Sequence, residues 1–353
     1  MKILTINAGS SSMKFSVMEI PENKELINGY FQRIGLDASF YDVKINGEKL
    51  HRDVELPNHL VALECIKKEL VELNVVASLE EIDAVGHRVV HGGEAFAGKP
   101  MVAVFDTAFH QTMDAVNYLY PVPYAWYENY GVRKYGFHGT SHKFINREIT
   151  AHFENENLKV ISCHIGSGAS VCAINAGKVV DTSMGFSPMT GIMMGTRPGD
   201  MDPSIVTYVA EEAGMSIDEV MTMLNKHSGL EGICGKSDSR DVEDGIKAGD
   251  AKCQLAQDMY ASRVANYIAM YNNQLNGADV IVLTAGLGEN SKDTRRDILA
   301  RIESLGVKLD PEKNDFRGEF RCISTDDSKI PVYVVPTNEE LMIALDTYEL
   351  INK

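Results

Sequence analysis

Residues 3–20 read ILTINAGSSSMKFSVMEI, and residues 160–174 read VISCHIGSGASVCAI. Each is a β-rich apolar run, a turn of small residues and a second run of the same kind, the pattern of a strand hairpin. In each, a polar residue, Asn7 or His164, ends the first strand just before the glycine. A repeat of this form more than 150 residues apart predicts two similarly folded lobes, each opening on a glycine-turn hairpin. Strand-like and helix-like patterns alternate around these hairpins, so the class is α/β. Leu60, Leu63, Ile66, Leu70 and Leu73 fall at spacings of three and four and predict a helix over 59–73, with Asn58 as its N-cap. Asp202-Pro203 opens a helix that ends near Gly214, and Ser216 with Glu219 predicts a capping box for the next. Residues 252–275 form the longest helical pattern, stopped by Gly277, and 85–90, 101–105, 280–283 and 332–335 read as buried strands. Pro336 ends the last of these, and Asn338 starts a final helix.

The chain has 353 residues, enough for two domains at about 150 residues each. Its 44% apolar and 24% charged residues are those of an ordinary globular protein and argue against disorder, collagen or coiled coil. The 34 Lys and Arg against 50 Asp and Glu leave a net charge of −16. Nucleic acid and anionic membrane both need a basic face, so neither is expected as a partner. A small anion remains possible wherever a few Arg, Lys or backbone N–H groups converge. Six cysteines, none at zinc-knuckle or redox-pair spacing, predict free thiols in a reducing cytoplasm. The apolar run at residues 1–6 is too short for a signal peptide, and no stretch has the length of a membrane span.

Three glycine turns follow strands: residues 7–12 with Lys14 close by, residues 166–168, and residues 286–290. Such turns aim successive backbone N–H groups at an anion, and together they point to a phosphate or nucleotide site. Gly235-Lys236-Ser237 is no Walker loop, because Leu230 stands where a glycine is required, and Val171 replaces the third glycine of a dinucleotide fingerprint. His138 and His142 are four apart, but no zinc-protease glutamate lies between them and Gly139 argues against sustained helix there. Arg88 lies inside an apolar strand and Arg197 in the run MGTRPGD. Each is either half of an internal salt bridge or a fork for a carboxylate or phosphoryl group. Asp106 closes a strand, and His138 sits beside glycine in YGFHGTSH. Glu339 and Glu340 open the last helix, as favourable N-terminal charge or as Mg²⁺ ligands. Backbone cradles, arginines and carboxylates add up to phosphoryl transfer, which needs positioning and charge neutralisation more than a covalent nucleophile.

At these residues the sequence resembles the acetate kinase family, of the acetate and sugar kinase/Hsp70/actin superfamily. The matching stretches are NAGSSSMKF (7–15), GHRVVHGG (86–93), FDTAFHQTM (105–113), YGFHGTSHK (135–143), DTSMGFSPM (181–189), MMGTRPGDMDP (193–203), TAGLGENS (284–291) and PTNEELMIA (336–344). The resemblance implies an actin-like ATPase duplication of two ribonuclease-H-like lobes. These would be residues 1–137 with 341–353, and a nucleotide-binding lobe over 138–340. It implies reversible phosphoryl transfer between ATP and acetate, giving ADP and acetyl phosphate, with Mg²⁺ or Mn²⁺, in a homodimer. By position Arg88 and Arg197 would bind the carboxylate and the transferring phosphoryl, and His138 would stabilise the transition state. Asn7, Asp106 and Glu339 would organise metal and phosphate, and Val90, Phe137 and Pro188 would line the methyl pocket. Lys14, His164, Gly166, Ser167, Gly168, Asp238, Ser239, Arg240, Gly286, Leu287, Gly288, Glu289 and Asn290 would face the nucleotide.

Three departures stand out. Only residues 94–104 lie between Gly93 and Phe105, where family members carry a helix and a Pro-Leu-His-Asn loop that supplies one His and one apolar residue to the acyl pocket. Ser167 replaces the usual Asn of a Gly-Asn-Gly turn. Residues 234–241 are one residue shorter than in many relatives. A missing charge-stabilising donor costs about 10²–10³ in rate. The shortened wall therefore leaves propionate or butyrate kinase, or a weakened nucleotide-binding relative, as alternatives.

Overall fold

A computed structural model describes residues 1–9, 12–88 and 100–353. Val90, expected in the methyl pocket, and most of the short 94–104 segment lie outside the described residues. The chain divides into two compact units, Met1–Asp106 with Asn338–Lys353, and Thr107–Thr337.

The first unit is built on seven strands: β1 (Lys2–Ala8), β2 (Ser12–Glu19), β3 (Lys24–Gln32), β4 (Phe40–Ile45), β5 (Glu48–Asp53), β6 (Ala84–Arg88) and β7 (Met101–Ala103). Their order is β5-β4-β3-β2-β1-β6-β7. β1 is antiparallel to β2 and parallel to β6. Alternation along β1 sends Leu4 and Ile6 to the face covered by the helix His59–Glu72, and Ile3 to the face covered by the helix Glu339–Ile351. Both faces are covered, which is why β1 reads as a continuous apolar run. Asn58 caps the first helix, its Oδ1 accepting from Leu60 N and Val61 N at 3.0 and 3.1 Å. Strands β3 to β5 have no counterpart in the sequence reading. Their charged, mixed composition (KELINGYFQ, EKLHRD) hides the alternation until the neighbouring strands are known.

Gly86 of β6 lets the final helix approach closely. A Cβ there would stand 2.4 Å from Thr347 Oγ1 and 2.7 Å from Ile343 Cγ2. Gly86→Ala is expected to destabilise this unit by about 1–3 kcal/mol through overpacking. It should also lower activity, because that helix carries Glu339. Chemical denaturation and turnover check both, and an unchanged midpoint would refute the packing argument.

The second unit repeats the plan with β8 (Lys159–Ile165), β9 (Ala169–Asn175), β10 (Lys178–Thr182), β11 (Val280–Thr284), β12 (Arg321–Cys322) and β13 (Val332–Val334). Their order is β10-β9-β8-β11-β13-β12. β8 is antiparallel to β9 and parallel to β11, as β1 is to β2 and β6. The sequence echo is thus a repeated hairpin at the same place in both sheets. The helix Ala251–Gln274, capped by Asp250, buries Ala256, Tyr260, Val264 and Ile268 in the same core as Ile161, Cys163 and Ile165.

Two stretches differ from the sequence reading. The helix Gly139–His152 forms where Gly139 had argued against one. Glycine stands at its first position, outside the interior where it is costly, and His138 caps it at φ 57°. Residues 107–137, placed with the N-terminal lobe by the resemblance, make their contacts in the second unit. Asn117 Nδ2 donates to Val180 O at 2.9 Å, Thr112 Oγ1 accepts from Val179 N at 2.8 Å, Tyr135 N donates to Gly185 O at 3.0 Å, and Lys134 pairs with Asp181.

Candidate active site

In the first unit, the parallel register of β1 and β6 sets Asn7 opposite Arg88 at the strand ends. Arg88 Nη1 donates to Asn7 Oδ1 at 3.1 Å and Nη2 to Asp106 Oδ2 at 2.9 Å. Burial alone would pull the guanidinium down, but the carboxylates of Asp106, Glu339 and Glu340 outweigh it and hold Arg88 above its ordinary value. Asn338 caps the final helix through Leu341 N, which puts Glu339 and Glu340 in its first turn. Asn7 Nδ2 reaches Glu339 Oε2 at 3.4 Å, and Lys14 Nζ lies 3.9 Å from Glu340 Oε1. Burial, reinforced by Glu340 and Asp106, raises the Glu339 carboxyl above the usual range against the pull of Arg88 and Lys14. Asn7, Arg88, Asp106 and Glu339 therefore form one cluster. Lys14, expected by the phosphates, faces Glu340 of that same cluster.

In the second unit, the β8–β9 hairpin pairs His164 with Ser170 across the Gly166–Gly168 turn. His138 Nδ1 hydrogen-bonds Ser170 Oγ at 2.9 Å, and its ring stacks on that of His164 with centroids 4.1 Å apart. A Cβ on Gly168 would stand 2.9 Å from Arg197 Nη2 and 3.3 Å from His138 Nε2, so the missing side chain marks the space these two groups share. Arg197 is half-buried, and burial lowers its pKa. Its Nη1 donates to Pro188 O at 2.6 Å, but among the described residues no carboxylate pairs with it. The two arginines thus divide the alternatives left open by sequence: Arg88 has an internal salt bridge, and Arg197 does not. Pro188 sits beside Arg197, whereas Phe137 packs against the unit's core.

A cavity of about 420 Å³ opens beside this turn. Gly166, Ser167, Asp238, Ser239, Arg240, Gly286, Leu287 and Asn290, all assigned to the nucleotide by the resemblance, line it. Gly286 has nothing within 4 Å of where a Cβ would stand. Gly288 and Glu289 are turned elsewhere. A Cβ on Gly288 would press on Leu283, and Glu289 Oε1 accepts from Ala285 N at 2.8 Å and Thr337 N at 3.0 Å. The predicted glycine turn is in fact a short helix, Ala285–Asn290, and Glu289 closes its first turn. Gly168 and His164 also lie outside the cavity lining.

Sequence reasoning missed Glu243, Ser291 and Arg317, which complete the lining, and Arg295 behind it. Glu243 sits one helical turn after Ser239, a spacing that offered a signal; Arg317 lies in a loop with none. Arg295 is fully buried and makes five hydrogen bonds, to Asn314 Oδ1, Asn314 O, Phe316 O, Gly288 O and Glu289 O. It joins the 285–290 helix to the loop that carries Arg317.

The arrangement offers paired carboxylates with an arginine in one unit, and in the other a glycine turn, an unpaired arginine, a histidine and a lined cavity. Known proteins resemble the chain along its whole length. An acetate kinase from Carboxydothermus hydrogenoformans is 46% identical over 396 aligned positions, covering 99% of each chain. The crystal structure of Porphyromonas gingivalis acetate kinase superposes with a TM-score of 0.90 at 38% identity, over 99% of both chains. A propionate kinase from Francisella tularensis superposes with a TM-score of 0.91 at 36% identity, also over 99% of both. The expected fold, a two-lobed α/β duplication of the actin-like ATPase kind, is therefore the observed one. The sequence profile of the Acetokinase family matches residues 2–101 and 96–345. Its two matched stretches meet at 96–101, and the 396 aligned positions exceed the chain's 353 residues by 43. That break falls in the segment where the sequence departs from the family pattern. With profile and relatives matching over nearly its whole length, the chain belongs to the acetokinase family.

Proposed function

We propose that this enzyme transfers the γ-phosphoryl group of ATP reversibly to the carboxylate of acetate. One observation carries the assignment of roles: Arg197 is half-buried without a carboxylate partner among the described residues, beside His138 at a glycine turn. An acetate oxygen attacks the γ-phosphorus in line, and the bond to the β-phosphate oxygen breaks with its electron pair leaving on ADP. Acetate is ionised at neutral pH, so no general base is required. The cavity lined by Ser167, Arg240, Gly286 and Asn290 holds the nucleotide. Arg197 and His138 donate to the phosphoryl oxygens as charge redistributes. Arg88, oriented by Asp106 and Asn7, holds the acetate carboxylate.

The carboxylates fit a divalent cation. Glu340 Oε1 is buried with no hydrogen bond, at the edge of its pairing distance from Lys14, and Glu339 is raised by burial. Mg²⁺ takes one or two carboxylates and completes its shell with water and phosphate oxygens, and among the described residues no group of three ligands is preformed. Glu339 and Glu340 would hold the ion, with Asn7 and Asp106 behind them. When bound, it neutralises charge on the phosphate oxygens.

A pH prediction follows. Because the folded-state pKa of Glu339 is raised, its contribution favours folding below the ordinary carboxylate range and is lost as pH rises through the raised value. Glu339→Gln should therefore melt at or above the wild-type temperature at pH 7 in chelator, with the difference vanishing in acid, while its turnover collapses. The Mg²⁺ needed for half-maximal rate should climb as pH falls toward the raised value. A less stable Glu339→Gln at pH 7 would contradict this reading.

Support for a homodimer comes from Val116, Tyr124, Trp126 and Tyr130, all exposed on one stretch of the second unit. Free cysteines throughout the chain suit a reducing cytoplasm. Among the described residues no helix is long and apolar enough to cross a membrane. The shortened segment near 96–101 and the propionate kinase likeness favour a second reading, in which longer acyl chains are accepted. Acetyl phosphate formed from ATP, acetate and Mg²⁺, trapped as hydroxamate, tests the main reading. Comparing kcat/KM for acetate, propionate and butyrate tests the second. ATP binding with no hydroxamate from any of the three acids would overturn both.

A further inference from the structure

Behind His138 lies a row of hydrogen-bonding side chains that the transfer chemistry does not itself use. Ser170 Oγ stands 2.9 Å from His138 Nδ1 and 2.8 Å from His142 Nε2, and His142 Nδ1 stands 2.8 Å from Ser162 Oγ. Ser162, His142 and Ser170 are all fully buried. We propose that Ser162, His142 and Ser170 form a one-way hydrogen-bond relay that keeps the proton of His138 on Nε2, so that the ring presents an N–H to the space in front of Gly168. The proposal rests on the role given above to His138.

The direction follows from counting protons. Each hydroxyl has one proton to donate, and a neutral imidazole has one N–H and one bare nitrogen. His142 is held neutral: burial, helped by His110 and His164 nearby, pushes its pKa well below the ordinary histidine value. Such a row can run in either of two directions, or both rings can donate to Ser170 at once; that third arrangement leaves the buried Ser170 proton without an acceptor among the described residues and is disfavoured on the same ground as the second direction below. In the first, Ser162 donates to His142 Nδ1, His142 Nε2–H donates to Ser170, and Ser170 donates to His138 Nδ1, leaving the His138 proton on Nε2. In the second, every bond is reversed, and His142 Nδ1–H donates to Ser162. The Ser162 proton then needs another acceptor, and among the described residues His142 is its only hydrogen-bond partner. A buried donor left without an acceptor disfavours the second direction by about tenfold to a hundredfold.

The consequence falls on the site. His138 Nε2 and Arg197 Nη2 lie 3.3 and 2.9 Å from the point a Gly168 Cβ would occupy. With the proton on Nε2, a neutral His138 donates to an anionic oxygen there; with the proton on Nδ1, its lone pair would oppose that oxygen. Ser162, His142 and Ser170 are thus positioning residues.

Nitrogen-15 NMR of the ¹⁵N-histidine-labelled, full-length protein tests this directly, with the His138 signals assigned by their loss in His138→Gln. The wild type should show His138 and His142 each protonated at Nε2. Ser170→Ala should give a mixture of His138 tautomers and lower kcat about 10- to 100-fold, less than the 10²–10³ that loss of a whole donor costs, with KM for ATP within about twofold. Ser162→Ala should release the His142 proton to either nitrogen. Ser170→Thr, which keeps the hydroxyl, should restore both the tautomer and most of kcat. A wild-type His138 protonated at Nδ1, or Ser170→Ala with an unchanged tautomer, would overturn the relay. Unchanged kcat in His138→Gln would instead overturn the role of His138 in transfer while leaving the NMR result standing, so the two failures are distinguishable.

Discussion

Arg197→Ala should lower kcat by about 10²–10³-fold while the protein folds normally. The side chain is half-buried and, among the described residues, makes one hydrogen bond to protein, from Nη1 to Pro188 O. Losing that bond costs the fold about 1 kcal/mol, a small part of the 5–15 kcal/mol that a domain commands. Its charge, by contrast, has no carboxylate partner among the described residues, so its favourable interactions await an anion. Arg88 is the control. It is already bound to Asp106 and Asn7, so Arg88→Ala removes an ion pair and a hydrogen bond from a largely buried cluster and should lose stability as well as activity. Steady-state kinetics with ATP and acetate, beside thermal melts of both variants, separate the two. Turnover of Arg197→Ala within a few-fold of wild type would show that this guanidinium does not meet the transferring group.

Arg295→Leu should be the most destabilising single change, at about 3–5 kcal/mol. All five donors of Arg295 are satisfied by neutral oxygens, and burial lowers its pKa to about 10, so it remains a cation at neutral pH. Removing it strands three acceptors, Asn314 Oδ1, Gly288 O and Phe316 O, because Glu289 O keeps Gly318 N and Asn314 O keeps Phe316 N. Each costs about 1–3 kcal/mol when left buried and unpaired, and the relief of desolvating a charge offsets part of that sum. Arg295→Lys should fall between, because an ammonium retains the charge but has three donors in place of the planar fork. The urea midpoint, followed by the fluorescence of the single tryptophan, Trp126, measures the loss. The surviving folded fraction should also bind ATP more weakly, since Arg295 ties the 285–290 helix to the loop bearing Arg317. A loss under about 1 kcal/mol would mean that water takes over those carbonyls.

The hairpin repeat was legible because its information is local. An apolar run on either side of small residues has one low-energy arrangement, and both copies carry it. The helices over 59–72 and 251–274 and the Ser216–Glu219 capping box were legible for the same reason: period, cap and stop lie within the segment itself. Strands β3 to β5 were not, because their alternation is broken by charged residues that make sense only beside β2. Gly139 misled, since a glycine's cost depends on whether it opens a helix or interrupts one.

The candidate site shows the same divide. From sequence alone came the class, the duplication and the residues able to bind a charged ligand or a metal ion: Asn7, Arg88, Asp106, His138, Arg197, Glu339 and the glycine turns. Residue type and strand-end position determine which groups can bind charge, so these were readable without coordinates. Only the tertiary structure decided which of them act on one another. It paired Arg88 with Asp106 and left Arg197 without a carboxylate among the described residues. It turned Glu289 inward to close its own helix, and brought Arg317 into the cavity lining on a loop tied down by buried Arg295. It also lined up Ser162, His142 and Ser170 behind His138. Hydrogen bonds and desolvation depend on distances between residues far apart in sequence, and those distances exist only once the sheets have formed.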